Sequence, residues 1–396
     1  MKLLQCILKL TGINLRSISN RKSSTITALI GVIGTVVVFT GLLSVASGFI
    51  STMENTASEK LMLVFRGFAN NEVEGYFSTD EYLSMQQAEG IKRTEHGPVM
   101  SPETLVWVNV PIKPSGSDAN LSLRGVKQQA FEIRNNVNII EGRKFKPGLN
   151  EIVVGKQAAK QFIGLDVGSK HTWANNTWTV VGIMEAEGSI TESEVWADAP
   201  IMMAAYKRDE YWSTVRIMLD DSPNARSKLE NWLNTNPSLT TRVSSEKEHY
   251  AEQSEFFTKL TKTIGIIVGA LMAMGATMCA LVTAYNSIVS RVREIAVQRA
   301  LGFSSSTIIG AILLESVVIS MIGGAIGLII AYLLFNRQQV SSLNPQSFSQ
   351  VAFTFAVTPT LLIIGALISL AIGLLSAIYP CYYATRISVG QGLRAS

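Results

Sequence analysis

Few residues in this 396-residue chain stand where chemistry could be done. The three histidines, His96, His171 and His249, lie far apart without the spacing of metal ligands, so they read as surface or packing residues. Gly155-Lys156 comes nearest to a phosphate-cradling loop. It lacks the first glycine of G-x-x-x-x-G-K-[ST] at the right distance and a hydroxyl residue after the lysine. No Gly-x-Ser-x-Gly elbow presents a nucleophile. Asn120-Leu-Ser122 and Asn175-Asn-Thr177 match the glycosylation triplet, a pattern frequent by chance. The expectation is a chain that is not an enzyme and holds no catalytic residue, metal or cofactor. The chain is not expected to bind and hydrolyse a nucleotide by itself.

The elements that could position anything are set by where charge is missing. Apolar residues make up 47% of the chain and charged ones 16%, against roughly 25% charged in an ordinary soluble domain. Charges vanish from Ser23 to Met53, Thr263 to Ser290, Ser316 to Asn336 and Gln338 to Thr385. Each window supplies the ~20 residues that cross ~30 Å of hydrocarbon. A single soluble globule is excluded, as are disordered and fibrous classes. The first apolar stretch is longer than the 7–15 residues of a cleaved signal and reads as an uncleaved anchor.

Charge also orients the chain. Residues 1–22 carry Lys2, Lys9, Arg16, Arg21 and Lys22 and no acid, whereas residues 54–258 hold 21 basic and 28 acidic residues, a net of −7. The connection after the second span carries Arg291, Arg293 and Arg299 against Glu294, and the tail carries Arg386 and Arg394. The positive-inside rule then places both termini and the 291–304 connection in the cytoplasm, with 54–258 and the 337–357 loop outside. The basic leader reads as a topology signal attracted to anionic lipid, and no nucleic-acid partner is expected. Cys6, Cys279 and Cys381 all fall outside 54–258, so no disulfide framework holds that region.

Within 54–258, strands are expected at Leu61–Arg66, Thr104–Val110, Leu121–Gly125, Glu151–Val154, Ser213–Leu219 and Thr240–Val243. A hairpin is expected over Thr172–Val181 around an Asn175-Asn176 turn. Ser78-Thr-Asp-Glu81 is a capping box that opens a helix to about Gln87, closed by Gly90. Lys156–Phe162 is expected helical after Gly155, and Ser222-Pro223 starts a helix to about Leu233. The order is β-α-β early and β-α-β late, with a β-rich insertion as a second lobe. From Ser245 the pattern is helical as far as Ser290, one stalk that would carry tilt or rotation where a Gly/Ser linker would not. The fold class is thus an α-helical membrane protein with four transmembrane helices and a large α+β extracytoplasmic domain between the first and second. Its expected parts are a leader (1–22), a first span (23–53), the two-lobed domain (54–258) and a block (259–396) with spans near 263–290, 305–335 and 358–384.

Glu315 is the one acid inside a span, about 15 Å along it, where an ionisable group must face other helices or water. It reads as a helix-packing or hydrogen-bonding residue. Gly265-Ile-Ile-Val-Gly269 and Gly323-Gly-Ala-Ile-Gly327 let transmembrane backbones approach closely, in a bundle or a dimer.

The most specific segment is Arg291-Val-Arg-Glu-Ile-Ala-Val-Gln-Arg-Ala-Leu-Gly-Phe303. It reads as a short basic amphipathic helix at the membrane surface, ended by Gly302 and followed by the Ser304-Ser-Ser306 cap of the next span. On these residues the sequence resembles the FtsX/MacB-like permeases of ABC transporters. Their signature looks like Arg-x-Arg-Glu-Ile-x-x-x-Arg-Ala-x-Gly, matched by Arg291, Arg293, Glu294, Ile295, Arg299, Ala300 and Gly302. Glu315 and Gly323–Gly327 look like the family's third span. Glu151–Gly155 and Trp178–Gly182 are similar to elements of the MacB-like periplasmic core domain, and Thr385–Ile387 and Gly392–Arg394 to the C-terminal signature.

The resemblance implies a permease subunit of the bacterial inner membrane, coupled to a separate ABC ATPase that uses ATP and Mg. It also implies a second permease subunit, identical or paralogous, and contact with membrane lipid. Arg293, Glu294 and Arg299 would make polar contacts or orient the elbow, and Leu301 and Phe303 would dock it. Motion of the exported domain would serve export or efflux by mechanotransmission. The resemblance leaves open a periplasmic adaptor and an outer-membrane channel, a lipoprotein-releasing role, and a non-transporting, FtsX-like control of a cell-wall hydrolase.

Overall fold

The computed structural model describes residues 2–16, 22–56, 58–69, 71–95, 97–113, 115–208, 211–236, 238–344 and 349–386. In chain order the elements begin with α1 (Lys2–Arg16), α2 (Lys22–Thr56), β1 (Leu61–Arg66) and α3 (Thr79–Met85). A short pair, β2 (Arg93–Thr94) and β3 (Gly97–Pro98), precedes β4 (Met100–Pro111), β5 (Asp118–Val126), α4 (Ala130–Ile133) and β6 (Asn138–Gly142). Then come β7 (Glu151–Gly155), α5 (Lys156–Gln161), β8 (Lys170–Trp173), β9 (Asn176–Glu185), a 3-10 turn (Ile190–Ser193) and β10 (Glu194–Asp198). The middle closes with α6 (Ala199–Ala205), β11 (Thr214–Met218), α7 (Ala225–Thr235) and β12 (Thr241–Ser245). Last are α8 (Glu246–Val289), α9 (Val292–Ala300), α10 (Ser305–Phe335), β13 (Gln339–Leu343), β14 (Gln350–Thr354) and α11 (Pro359–Arg386). The chain divides into a helical unit (1–48, 259–338 and 355–396) and an α+β unit (49–258 and 339–354).

The α+β unit is built on a ten-stranded sheet in the order β12-β1-β11-β4-β5-β10-β7-β9-β6, with β8 paired to β9. β4 belongs to both lobes. Its first residues pair with β11 (Met100 opposite Ile217), and from Thr104 onward it pairs with β5. In the first lobe, Met62 and Val64 of β1 and Val215 and Ile217 of β11 pack under α3 and α7 through Met85, Leu229 and Leu233. The opposite face of β1 buries Leu63 and Phe65 as well, which is why Leu61–Phe65 is apolar without alternation. The second lobe closes around Val108, Leu121, Ile152, Trp178 and Val195. Gly155 is required where β7 turns into α5, because a Cβ there would lie 2.1 Å from the Glu192 carbonyl oxygen. The capping box at α3 is present: the Ser78 hydroxyl accepts the Glu81 N–H, and Glu81 accepts the Ser78 N–H at 2.9 Å.

Three expectations need correction in this unit. The β8–β9 turn is Ala174-Asn175, both with positive φ, and Asn176 already pairs with Trp173. The α7 helix begins at Ala225, because Asp220 accepts both the N–H and the hydroxyl of Ser222 and holds Ser222 and Pro223 in the preceding turn. The 337–357 segment is not a plain loop. Its residues form the antiparallel pair β13–β14, with Gln339 opposite Thr354, and the hairpin belongs to the α+β unit.

Among the described residues four helices are long and apolar enough to cross a membrane, α2, α8, α10 and α11, and the helical unit holds most of each. Small residues set its close crossings. Gly265 and Gly269 of α8 lie against Leu43 and Phe39 of α2, and Gly323 and Gly327 of α10 lie against Val32 and Val36 of α2. Gly324 and Gly373 bring α10 and α11 together at Ser369 and Val317. The leader is a helix as well, α1, with Leu10 buried and Ile7 seated against Gly310 of α10.

Candidate functional site: a buried ionic cluster and the elbow

Seven charged side chains meet inside the α+β unit, each at most 7% exposed. Glu103 of β4 is the centre. Arg134, just after α4, grips it from Nη1 to Oε1 at 2.8 Å and from Nη2 to Oε2 at 2.9 Å. Arg124 of β5 donates to Glu103 at 3.0 Å and closes a two-pronged pair with Glu194 of β10 at 2.8 and 2.6 Å. Arg216 of β11 donates to Glu103, to Glu72 at 3.3 Å, and to Glu246, the first residue of α8, at 3.5 Å. Glu72 also takes a hydrogen bond from Arg124.

Charged pairs this deep survive only with dense mutual compensation, because each ion has lost its water. Burial would raise the Glu103 carboxyl, but Arg134, Arg216 and Arg124 outweigh it and hold the group at about 2. Arg124 and Arg216 hold Glu72 below the ordinary carboxylate range against the same opposing effect of burial. Glu103 and Glu72 are therefore held ionised at the heart of the cluster, whereas burial raises the Glu246 carboxyl at its edge against the pull of Arg216 and Arg134.

The cluster ends on the root of α8. Ser245 and Glu248 form a second capping box, Ser245 N–H to Glu248 at 2.8 Å and Glu248 N–H to the Ser245 hydroxyl at 3.1 Å. Arg216 donates to the Tyr250 hydroxyl at 3.3 Å. One turn on, the Gln253 amide donates to His249 at 2.7 Å, so that ring nitrogen is the acceptor. Gln253 in turn accepts from Asn344 of the hairpin at 3.1 Å. The hairpin is further held by the Ala352 N–H on the Ser193 hydroxyl at 2.9 Å, and Phe353 meets Phe49 edge-on at 5.4 Å. Glu194 and Glu246, both lobes, the hairpin and α8 thus share one buried core of polar contacts.

In the helical unit, α8 is followed after two residues by the elbow helix α9. Gly302, at φ +92°, ends the elbow, and the Ser304 side chain accepts the Thr307 N–H to start α10. The predicted residues divide into two groups. Arg293 and Glu294 are exposed, as is Leu301 at 74%, beside Val297, and Phe303 is half-buried. Arg291 and Arg299 instead face inward. Arg291 lies 3.6 Å from Glu315 of α10 and donates to the Asn14 carbonyl of α1, and Arg299 donates to the Thr385 carbonyl of α11. A cavity of about 50 Å³ opens beside them, with Asn14, Ser287, Glu294 and Gln298 in its lining. The C-terminal residues 387–396, which carry most of the expected C-terminal signature, lie outside the described residues.

The ionic cluster has no counterpart in the sequence reading. The signal available was a single charged residue inside an otherwise buried strand, Arg216 in Thr214–Met218 and Arg124 in Leu121–Gly125.

With this architecture established, two family models match the chain. The MacB-like periplasmic core domain covers residues 24–231, and the FtsX-like permease C-terminal domain covers 266–389. The chain belongs to the FtsX/MacB-like family of ABC transporter permeases. The macrolide export ATP-binding/permease protein MacB of Shigella boydii is 21% identical over 401 residues, covering 94% of this permease and 58% of that protein. MacB of Shigella flexneri gives the same figures. This permease thus spans 58% of the length of the curated relatives it matches. Among solved structures, the periplasmic region of MacB from Actinobacillus actinomycetemcomitans aligns at TM-score 0.38 and 11% identity, over 50% of this chain and 95% of that one. The extracellular domain of the ABC-type transporter YknZ from Gram-positive bacteria aligns at TM-score 0.35 and 14% identity, over 47% of this chain and all of that one.

Proposed function

We propose that this permease converts ATP hydrolysis by a separate ABC ATPase subunit into movement of its α+β unit, in the service of export or efflux across the bacterial inner membrane. Both termini and the α9 elbow would be cytoplasmic, as the positive charge there favours, and the net acidic α+β unit would lie outside. Two permease subunits would assemble with two ATPase subunits. The exposed Ile266, Leu271, Met274 and Met278 of α8 suit lipid or the second permease.

One observation carries the reading. A single helix, α8, starts in the buried ionic cluster at Glu246 and runs unbroken to Val289, two residues short of the elbow. A continuous helix passes on tilt or rotation over its length, which a flexible linker cannot do. Arg293, Glu294, Val297 and Leu301 are the exposed groups through which an ATPase would push, whereas Arg291 and Arg299 would pass the push to α1, α10 and α11.

The test is co-purification with the ABC ATPases of the same genome. Wild type should retain one of them and stimulate its ATP turnover. The R293E/E294R double variant, at normal membrane abundance, should lose both. Unchanged retention and stimulation would reject the elbow as the docking element.

A further inference from the structure

The seam between the two lobes of the α+β unit carries a groove of about 640 Å³, lined by Thr79 at the start of α3, Lys127 after β5, Met203 and Ala204 of α6, Lys207 and Trp212. That volume lies in the range of sites that hold drug-sized ligands. It is much larger than the roughly 20 Å³ space beside the ionic cluster.

The lining is both cationic and aromatic. The Lys127 ammonium sits over the Trp212 ring at 4.9 Å and the Tyr82 ring at 5.2 Å, a placement that fixes it at the groove wall. Burial pushes the Lys127 pKa down, with Asp198 opposing. The Asp198 carboxylate, however, is engaged by the Gly148 N–H at 2.8 Å. Lys207 stands at φ +52°, a left-handed conformation uncommon for a residue with a side chain, at the end of α6. Trp212 is 4% exposed, and its indole N–H is buried without an acceptor among the described residues.

We propose that this groove binds a small amphipathic anion, a carboxylate or comparable acid on an apolar body. Lys127 and Lys207 receive the charge, and Met203, Ala204 and Trp212 receive the apolar part. The site is built from both lobes, so its ligand bridges the seam that β4 alone crosses in the sheet.

The experiment uses the full chain in lipid nanodiscs and 4'-(trifluoromethyl)biphenyl-4-carboxylate as the probe, followed by 19F NMR line broadening, with the corresponding carboxamide as the neutral control. Saturable binding of the acid is expected, with at least tenfold weaker binding of the amide. K127M/K207M should weaken the acid by at least tenfold and leave the amide unchanged. A204W, a filling substitution at an exposed position, should abolish both without lowering the melting temperature. Absence of saturable binding of the acid, or binding indifferent to both the lysine and the filling variants, would overturn the proposal.

Discussion

Arg291, at the entrance to the elbow, lies 3.6 Å from Glu315 on the adjoining α10, and both side chains are about nine-tenths buried. The lone acid of the apolar helix α10 is therefore an ion-pair partner of the elbow's first arginine. Breaking one half leaves a buried charge poorly compensated. Glu315→Leu is expected to destabilise the helical unit by about 3 kcal/mol, and R291M/E315L to recover most of it. Thermal melts of the four members of this double-mutant cycle, in one detergent, measure the coupling. Additive losses would show that the pair does not act as one.

The ionic cluster predicts a larger penalty in the α+β unit. Glu103 takes hydrogen bonds from three arginines, so Glu103→Ala leaves three guanidiniums short of an anion at once. A loss of about 3 to 5 kcal/mol is expected. Urea titration followed by limited proteolysis of the α+β unit would read it. A loss below about 1 kcal/mol would mean that the remaining glutamates can compensate.

The same residue sets a pH dependence. The folded Glu103 carboxyl is held at about 2, below its ordinary 4.5, so its contribution is fully present above pH 4.5 and is lost as pH falls toward 2. The melting temperature should fall through this window in wild type. In Glu103→Gln it should start lower and fall less steeply. Equal slopes would place the acid sensitivity elsewhere.

Close helix crossings make a graded prediction. A Cβ on Gly327 would sit 3.0 Å from the Val36 Cβ and 3.1 Å from the Ile33 carbonyl, whereas one on Gly275 would meet nothing within 4 Å. Gly327→Leu should lower the melting temperature markedly, and Gly275→Ala should be neutral or slightly stabilising, since alanine favours helix. The reverse order would contradict the α2–α10 packing.

The hairpin predicts a local effect. Ser193→Ala removes the acceptor of the buried Ala352 N–H, and hydrogen exchange at Ala352 should accelerate while exchange in β1 and β11 stays unchanged. Unchanged protection at Ala352 would detach the hairpin from the 3-10 turn.

What the sequence disclosed follows the range of the interactions involved. The apolar stretches, the Ser78–Glu81 capping box and the Gly302 stop are local, written in windows of a few residues to about thirty, and they are legible directly. The β13–β14 pair is short, polar on one side and set between two apolar helices, so its alternation was indistinct. The ionic cluster was hidden because its members, Glu72 to Glu246, are strung along the chain, and only sheet order brings them together. The sequence groups Arg293, Glu294 and Arg299 together, and nothing local separates Arg293 and Glu294 from Arg291 and Arg299, which turn inward because α1, α10 and α11 supply their partners.

The central claim is that α8 acts as a rigid strut between the elbow and the ionic cluster. It is tested most directly by hydrogen exchange in the permease–ATPase complex, with and without a Gly-Gly-Gly insertion between Thr258 and Lys259. In the intact complex, ATP should change protection at residues 246–258 and along β11. With the insertion, ATP hydrolysis should continue and that change should disappear. Persistence of the full ATP-dependent change across the flexible insertion would contradict the account.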